Sequence, residues 1–152
     1  MAEEQQKFAL QRIYLKDVSL ESPASPLVFT KSWKPNFKVD LNTRSKWVAE
    51  KSHEVMLTIT LTAELDGEQV LLIEVQQAGL FAIEGIEGDT LKQVLGIACP
   101  NLLFPYAREA IDSLALKGGF PAIALQPVNF EALFREARKQ ATGQQAEGAK
   151  TH

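Results

Sequence analysis

Val55-Met-Leu-Thr-Ile-Thr-Leu-Thr-Ala-Glu-Leu65 alternates strictly between a purely apolar series and a mixed series, and Asp66-Gly67 follows it directly. Alternation with a period of two is typical of a β-strand with one buried face. Asp-Gly favours a tight hairpin turn, because glycine readily adopts positive φ. The stretch therefore predicts a strand, a turn and a returning strand over residues 69–77. Both faces of the returning strand are partly apolar, which favours cover on both sides, one of them from another subunit.

Two further strands are predicted nearer the start of the chain. Residues 8–20 are strand-like, but their alternation slips near Ile13, which indicates a bend or a bulge. Ser22-Pro-Ala-Ser-Pro26 interrupts any regular element and opens a long loop that holds large apolar side chains. After that loop, alternating apolar residues from Phe37 to Leu41 predict a short strand.

Helical periodicity follows the strands. Pro100 is expected to end or kink a first helix, and a longer one is predicted from about Asn101 to Gly118-Gly119. A last helix of about ten residues opens at Asn129, a residue type that favours the N-cap. Strands first and helices last predict an α+β fold with an antiparallel sheet. We expect a flexible arm over residues 1–7, a single domain over 8–140 and a disordered tail over 141–152.

Composition limits the classes of function. The 152 residues carry 16 basic and 19 acidic side chains, and a net charge of -3 argues against nucleic acid as the main partner. The single cysteine, Cys99, has no partner for an internal disulfide, which favours a reducing compartment. The polar N-terminus does not resemble a signal peptide, and no apolar run approaches the ~20 residues of a membrane span. We therefore expect a cytoplasmic protein without direct membrane insertion.

The sequence does not present a catalytic constellation. His53, Cys99 and His152 lack the spacing of metal ligands, and a lone cysteine is more often a buried apolar residue than a nucleophile. Gly85-Ile-Glu-Gly88 lacks the lysine and the hydroxyl residue of a phosphate-binding loop and is interpreted as a turn. The prediction is a protein that is not an enzyme, with no metal and no cofactor.

Apolar residues exceed what one small core requires. One series begins in the long loop and continues into a strand, and a second forms a stripe on the short last helix. These residues are Trp33, Phe37, Val39, Leu41, Phe130, Leu133 and Phe134. Two interpretations stay open from the residues alone: the side chains complete the core, or they line a groove for an extended, apolar polypeptide.

An ordered set of motifs resembles the SecB family of bacterial protein-export chaperones. The most specific is the helix-start stretch Cys99-Pro-Asn-Leu-Leu-Phe-Pro-Tyr-Ala-Arg-Glu109. The others occur in the family's order: Gln11-Arg-Ile-Tyr14 with Lys16-Asp17, Glu74-Val-Gln-Gln77 with Gly79, Gly85-Ile-Glu-Gly88, and Pro127-Val-Asn-Phe130 with Ala132-Leu-Phe134. The resemblance covers residues 8–138, nearly the whole chain.

The resemblance implies an ATP-independent cytosolic holdase that keeps secretory precursors unfolded and delivers them to the motor ATPase SecA. It implies a four-stranded antiparallel sheet, C-terminal helices on one side and a homotetramer built as a dimer of dimers. Carried over by residue, the SecA-binding face is Asp17, Glu21, Leu72 and Glu74, and the assembly positions are Ile73, Val75 and Gln77. The client groove would be the seven apolar residues named above. The nearly uncharged tail after Gln140 and the N-terminal arm depart from distinctive family features.

Three alternatives remain at this point. The first is a SecB-like chaperone dedicated to an antitoxin or another specific client. The second is a small-ligand-binding or enzymatic α+β domain, which the missing catalytic constellation disfavours. The third is an interaction domain that binds only folded partners.

Overall fold

Four long antiparallel strands form one sheet. The computed structural model describes residues 5–150, with side chains described as far as Ala141. The strands are β1 (Lys7–Glu21), β2 (Asn36–Ala49), β3 (Ser52–Leu65) and β4 (Glu68–Glu84), and they are arranged in the order β1-β4-β3-β2. The helical elements are a 3-10 turn (Leu27–Thr30), α1 (Gly88–Gln93), a π-helical turn (Val94–Ala98), α2 (Cys99–Lys117) and α3 (Phe130–Lys150). The predicted α+β fold, with helices on one side of an antiparallel sheet, is confirmed.

The β3–β4 hairpin is the centre of the sheet, as its alternation predicts. Asp66 and Gly67 both have positive φ, 53° and 81°, which is the geometry of a two-residue hairpin turn. The alternate residues of β3 from Val55 to Ala63 are fully buried. They lie on the face that α2 covers, together with core side chains of α2 such as Leu103 and Ile111.

The predicted irregularity of the first strand is confirmed. β1 has two register shifts, one between Leu10 and Arg12 and one between Leu15 and Asp17. Each shift reverses the parity of the side chains, so that apolar residues before, between and after the shifts all point to the helix-covered face. Partly buried side chains of β1 thereby pack against the core of β3 and β4, and Phe8 stacks on Phe81 at 5.7 Å between ring centroids.

Gly79 sets how closely α2 approaches the sheet. A Cβ at this position would lie 2.9 Å from Leu103 Cδ2 and 2.8 Å from Phe81 Cε2, closer than real Cβ atoms approach other heavy atoms. The absence of a side chain at Gly79 therefore allows Leu103 to pack directly on β4.

Asn101 is not the start of the long helix, since α2 begins at Cys99, directly after a π-helical turn. Pro100 falls in the first turn of α2, where a missing N–H is tolerated.

The sequence predicts an arm over residues 1–7 and a tail over residues 141–152. β1 begins at Lys7, and residues 1–4 of the expected arm lie outside the described residues. α3 continues to Lys150, whereas the sequence predicts a helix of about ten residues and a disordered tail from Ala141. The physical reason is that alanine, glutamine, glutamate and lysine, which dominate this stretch, all favour helix. Residues 151–152 lie outside the described residues.

Candidate functional site

An apolar groove runs between β2 and α3, and we call it the β2–α3 groove. Its first part is a cavity of about 670 Å³ lined by Phe37, Val39, Leu41, Phe104, residues 123–129, Ala132, Leu133 and Glu136. Its second part is a cavity of about 720 Å³ lined by Leu41–Thr43, Ser45, Lys92, Leu95, Gly96, Phe130, Leu133, Phe134, residues 136–138 and Gln140. The two parts share Leu41, Leu133 and Glu136, so they lie side by side beneath the first half of α3.

Six of the seven predicted groove residues line this groove. Phe37 and Val39 line the first part, Phe130 and Phe134 line the second, and Leu41 and Leu133 line both. Val39 and Leu133 are 40% and 47% exposed, so their apolar surface is accessible to a ligand and is not buried in the core. Phe130 is instead buried against Phe104, with ring centroids 6.0 Å apart, and supports the floor.

Trp33 does not line either cavity. Its ring packs against Phe120 at 5.2 Å and edge-on against Phe37 at 6.4 Å between ring centroids. Phe29 also contacts Phe120, at 5.4 Å. Trp33 therefore belongs to an aromatic cluster next to the first part of the groove, and it contacts the groove through Phe37.

α3 is held over the groove by contacts at both ends of its first half. Asn129 caps its start, because the Ala132 N–H donates a 3.0 Å hydrogen bond to Asn129 Oδ1. Two turns later, Arg138 pairs with Asp89 of α1 and lies over the Phe134 ring, 5.3 Å from its centroid. Phe134 in turn rests on Gly96 of the π-helical turn, where a Cβ would come within 2.6 Å of its ring.

Sequence reasoning missed one wall of the groove, which residues 123–129 form without any regular secondary structure. A signal was present: Ile123 and Leu125 alternate with Ala124 and Gln126 between a glycine pair and Pro127, as in a short extended segment. Phe104 of α2 and Leu95 of the π-helical turn were also missed as groove residues. Their helical periodicity made them indistinguishable from ordinary core.

The predicted SecA-binding residues lie together on the face of the sheet opposite α2. No helix within the described residues covers this face, and we call it the helix-free face. In the β1–β4 register Glu21 opposes Leu72, Ser19 opposes Glu74, and Asp17 opposes Gln76. Asp17, Glu21, Leu72 and Glu74 therefore form one acidic patch on two adjacent strands, and Leu72 is its apolar member. All four side chains are exposed or half-buried.

A hydrogen-bonded network lies on the same helix-free face, beyond the acidic patch. Tyr14 donates to Glu54 Oε2 at 2.6 Å, and Lys16 Nζ lies 3.1 Å from Glu54 Oε1. Burial opposes ionisation of Glu54, but the bonds from Tyr14 and Lys16 outweigh it and lower the pKa of this carboxyl. Burial, with the bond to Glu54, raises the pKa of Tyr14 to about 12. Glu54 is thus ionised and Tyr14 protonated at neutral pH.

The three residues assigned to assembly lie in the core of the subunit, on the face that α2 covers. Ile73 and Val75 are fully buried, and Gln77 is 3% exposed. Gln77 donates a 3.1 Å hydrogen bond to the backbone carbonyl of Tyr14, next to the second register shift of β1. A role of these residues in assembly stays a prediction.

The residues considered for chemistry are placed as follows. Cys99 is buried at the start of α2, and burial raises the pKa of its thiol to about 12, so that it is protonated at neutral pH. Within the described residues, no three side chains of His, Cys, Asp or Glu converge as metal ligands. No helix in residues 5–150 has both the length and the hydropathy that crossing a bilayer requires.

The fold and the groove define a class of protein. An antiparallel sheet carries helices on one face, an apolar groove at its β2 edge and an acidic patch on its other face. The family model described as "Preprotein translocase subunit SecB" matches residues 1–141. The chain is 57% identical over 145 residues to a protein-export protein SecB of Hahella chejuensis, covering 95% of this chain and 91% of that protein. It is 51% identical over 146 residues to that of Marinobacter nauticus, covering 96% and 88%. The chain therefore belongs to the SecB family.

A solved structure supports the same fold. The SecB-like chaperone Rv1957 of Mycobacterium tuberculosis, in complex with a ChAD peptide from the HigA1 antitoxin, superposes with a TM-score of 0.65. The match covers 80% of this chain and 87% of that one, at 15% sequence identity.

Proposed function

We propose that this chain is an ATP-independent cytoplasmic chaperone that holds secretory precursors unfolded and passes them to the SecA motor. Membership of the SecB family supports a chaperone role in protein export. The observation that carries the proposal for this chain is the β2–α3 groove, whose lining is mostly apolar and whose surface residues remain accessible. An unfolded precursor exposes apolar segments that a folded protein buries, so the groove selects for the unfolded state.

Burial of apolar surface supplies the binding energy. It yields about 25 cal/mol for each Å² removed from water, before the cost of ordering the client is subtracted. One groove would therefore hold a client weakly. Several grooves on one assembly would hold a single chain tightly but reversibly, because each further contact is intramolecular.

We further propose that the chain assembles as a homotetramer, a dimer of dimers. Large apolar residues of α2 and β1 remain exposed in the single chain: Leu15, Val18, Leu102, Tyr106 and Leu116. β1 is an edge strand of 15 residues, and its outer backbone groups have no neighbouring strand within the described residues. An exposed apolar surface beside an open sheet edge favours contact with a second copy.

The acidic patch is the proposed contact with SecA. Asp17, Glu21 and Glu74 supply negative charge, and Leu72 supplies apolar surface beside them. An acidic patch matches a basic partner element, and the contact would weaken with salt because the charges are solvent-accessible. The patch and the groove lie on opposite faces of the sheet, so a client and the motor would be bound simultaneously.

Isothermal titration calorimetry tests the proposed holding function. The protein is titrated without nucleotide with an unfolded secretory precursor, and the folded mature form of the same precursor is the control. We expect binding only to the unfolded chain, at about one chain per tetramer through multivalent contact. Binding to neither form would refute the holdase. Tight binding to one particular client and weak binding to unrelated unfolded precursors would favour the dedicated-client alternative.

A further inference from the structure

Asp112 of α2 anchors the missed wall of the groove. Its Oδ1 atom accepts hydrogen bonds from two successive backbone N–H groups, that of Ile123 at 2.9 Å and that of Ala124 at 3.0 Å. Asp112 is half-buried and lies eleven residues before Ile123. The contact therefore joins the long helix to the irregular segment that follows it.

The wall has little else to fix its backbone. Within the described residues, the segment from 121 to 128 makes no backbone–backbone hydrogen bonds, and they resume only on either side, at Phe120 and at Asn129. Leu125 is buried and contributes apolar packing. An extended segment with few hydrogen bonds of its own needs an external partner to keep its polar groups satisfied and its position fixed.

Ala124 makes the need for an anchor specific. Its φ is 55°, in the left-handed region that residues other than glycine, asparagine and aspartate rarely adopt. Such a conformation persists where surrounding contacts over-determine it. The two N–H groups that converge on one carboxylate oxygen are that of Ala124 itself and that of the residue before it, so Asp112 fixes the backbone that leads into the strained residue.

We propose that Asp112 is a positioning residue for client binding: it holds residues 123–129 as the wall of the first part of the groove. This inference rests on the proposed holding of unfolded clients. Asp112 is not among the lining residues and acts through the backbone it binds. Its loss would let the wall move away from β2 and widen or collapse the cavity, while the fully buried core of β3, β4 and α2 would stay assembled.

The first experiment combines amide hydrogen exchange with client titration. Exchange in the wild-type protein should show protection at Ile123 and Ala124 well above that at Gln126, which makes no such bond. In Asp112→Ala, exchange across residues 121–128 should rise while that of β3 stays unchanged, and affinity for an unfolded precursor should fall about tenfold through loss of a charge-assisted bond pair. Glu109→Ala, an exposed carboxylate on the same helix, is the matched control and should bind as the wild type does.

Rescue distinguishes positioning from general destabilisation. Asp112→Asn keeps an acceptor oxygen and should retain most of the affinity. Ala124→Gly removes the steric cost of positive φ, so Asp112→Ala/Ala124→Gly should regain part of the lost affinity. Wild-type affinity in Asp112→Ala, or equal exchange at Ile123, Ala124 and Gln126 in the wild type, would overturn the role of Asp112. Failure of the wild-type protein to bind an unfolded precursor would instead refute the proposed function.

Discussion

The hydroxyl of Tyr14 donates a 2.6 Å hydrogen bond to the carboxylate of Glu54, although the strand β4 lies between their strands. Tyr14 opposes Ala78 on β4, and Glu54 opposes Leu80 on the same strand. The small side chain of Ala78 leaves the helix-free face open enough for the phenol to reach across. The bond therefore ties the edge strand β1 to β3 directly.

Tyr14→Phe should destabilise the protein by about 1–2 kcal/mol, because a half-buried hydrogen bond to an ionised carboxylate is lost. The pKa of Tyr14 is about 12 in the folded protein, above the ordinary tyrosine value of 10.0. The unfolded chain therefore loses this proton first as pH rises, and the stabilisation, complete below pH 10, is lost between about pH 10 and 12. Urea denaturation at a series of alkaline pH values should show a smaller decline for Tyr14→Phe than for the wild type.

Tyr106→Phe is the matched control for that measurement. Tyr106 is the other tyrosine of the chain and is half exposed on α2, so its hydroxyl makes no comparable bond across the sheet. It should leave the alkaline decline intact. An identical pH dependence for wild type and Tyr14→Phe would contradict a bond between Tyr14 and Glu54 that persists in solution.

Gly96→Ala should weaken the docking of α3. The added Cβ would lie 2.6 Å from Phe134 Cδ2, so the ring must move, and overpacking of this kind costs about 1–3 kcal/mol. The cost should largely vanish in the Phe134→Ala background, because the obstructing ring is gone. A double-mutant cycle of unfolding free energies measures this coupling. Additive effects would mean that Phe134 does not rest on Gly96.

Local sequence patterns were sufficient to predict the sheet, but they were not sufficient to predict the groove wall. Alternation from Val55 to Leu65 with Asp66-Gly67 predicts the hairpin because one buried face and one turn specify it completely. The slip near Ile13 predicts an irregularity in β1, and two register shifts flank that residue. These features depend on neighbours in sequence, so the sequence alone contains them.

The wall at residues 123–129 depends on a partner far along the chain. In the sequence, Asp112 is one of several polar residues on an amphipathic helix. No feature of the neighbouring sequence identifies it as the hydrogen-bond acceptor for Ile123 and Ala124. The π-helical turn before Pro100 is similar, since its geometry follows from how α1, α2 and α3 pack together. Six of the seven residues predicted for the groove nevertheless line it. A series of apolar residues on one edge strand and one helix is expected to pack against other apolar groups.

Leu133→Asp should weaken client binding with little loss of stability. Leu133 lines both parts of the groove and is 47% exposed, so its side chain is available to a client and contributes modestly to the core. A carboxylate there would have to be desolvated by an apolar client, which should reduce affinity about 10- to 100-fold. Titration with an unfolded precursor and thermal denaturation of the same variant separate the two effects.

Leu27→Asp is the control for the groove variant. Leu27 is 65% exposed on the 3-10 turn and lines neither part of the groove. It carries the same change of side chain and should leave client affinity unchanged. Equal losses for Leu27→Asp and Leu133→Asp would indicate a non-specific effect of surface charge and would refute the assignment of the groove.

Glu74→Lys should abolish most of the affinity for SecA while client binding is retained. Glu74 lies on the helix-free face between Asp17 and Glu21 in the β1–β4 register, and reversal of its charge places a cation within the acidic patch. The groove lies on the other face of the sheet, so the client contacts are untouched. Surface plasmon resonance with immobilised SecA should show a loss of about tenfold or more, and the wild-type affinity should fall with salt.

Glu64→Lys makes the same charge reversal at an exposed position near the end of β3 and should bind SecA as the wild type does. Unchanged SecA affinity in Glu74→Lys would refute the acidic patch as the SecA contact without affecting the proposed client groove.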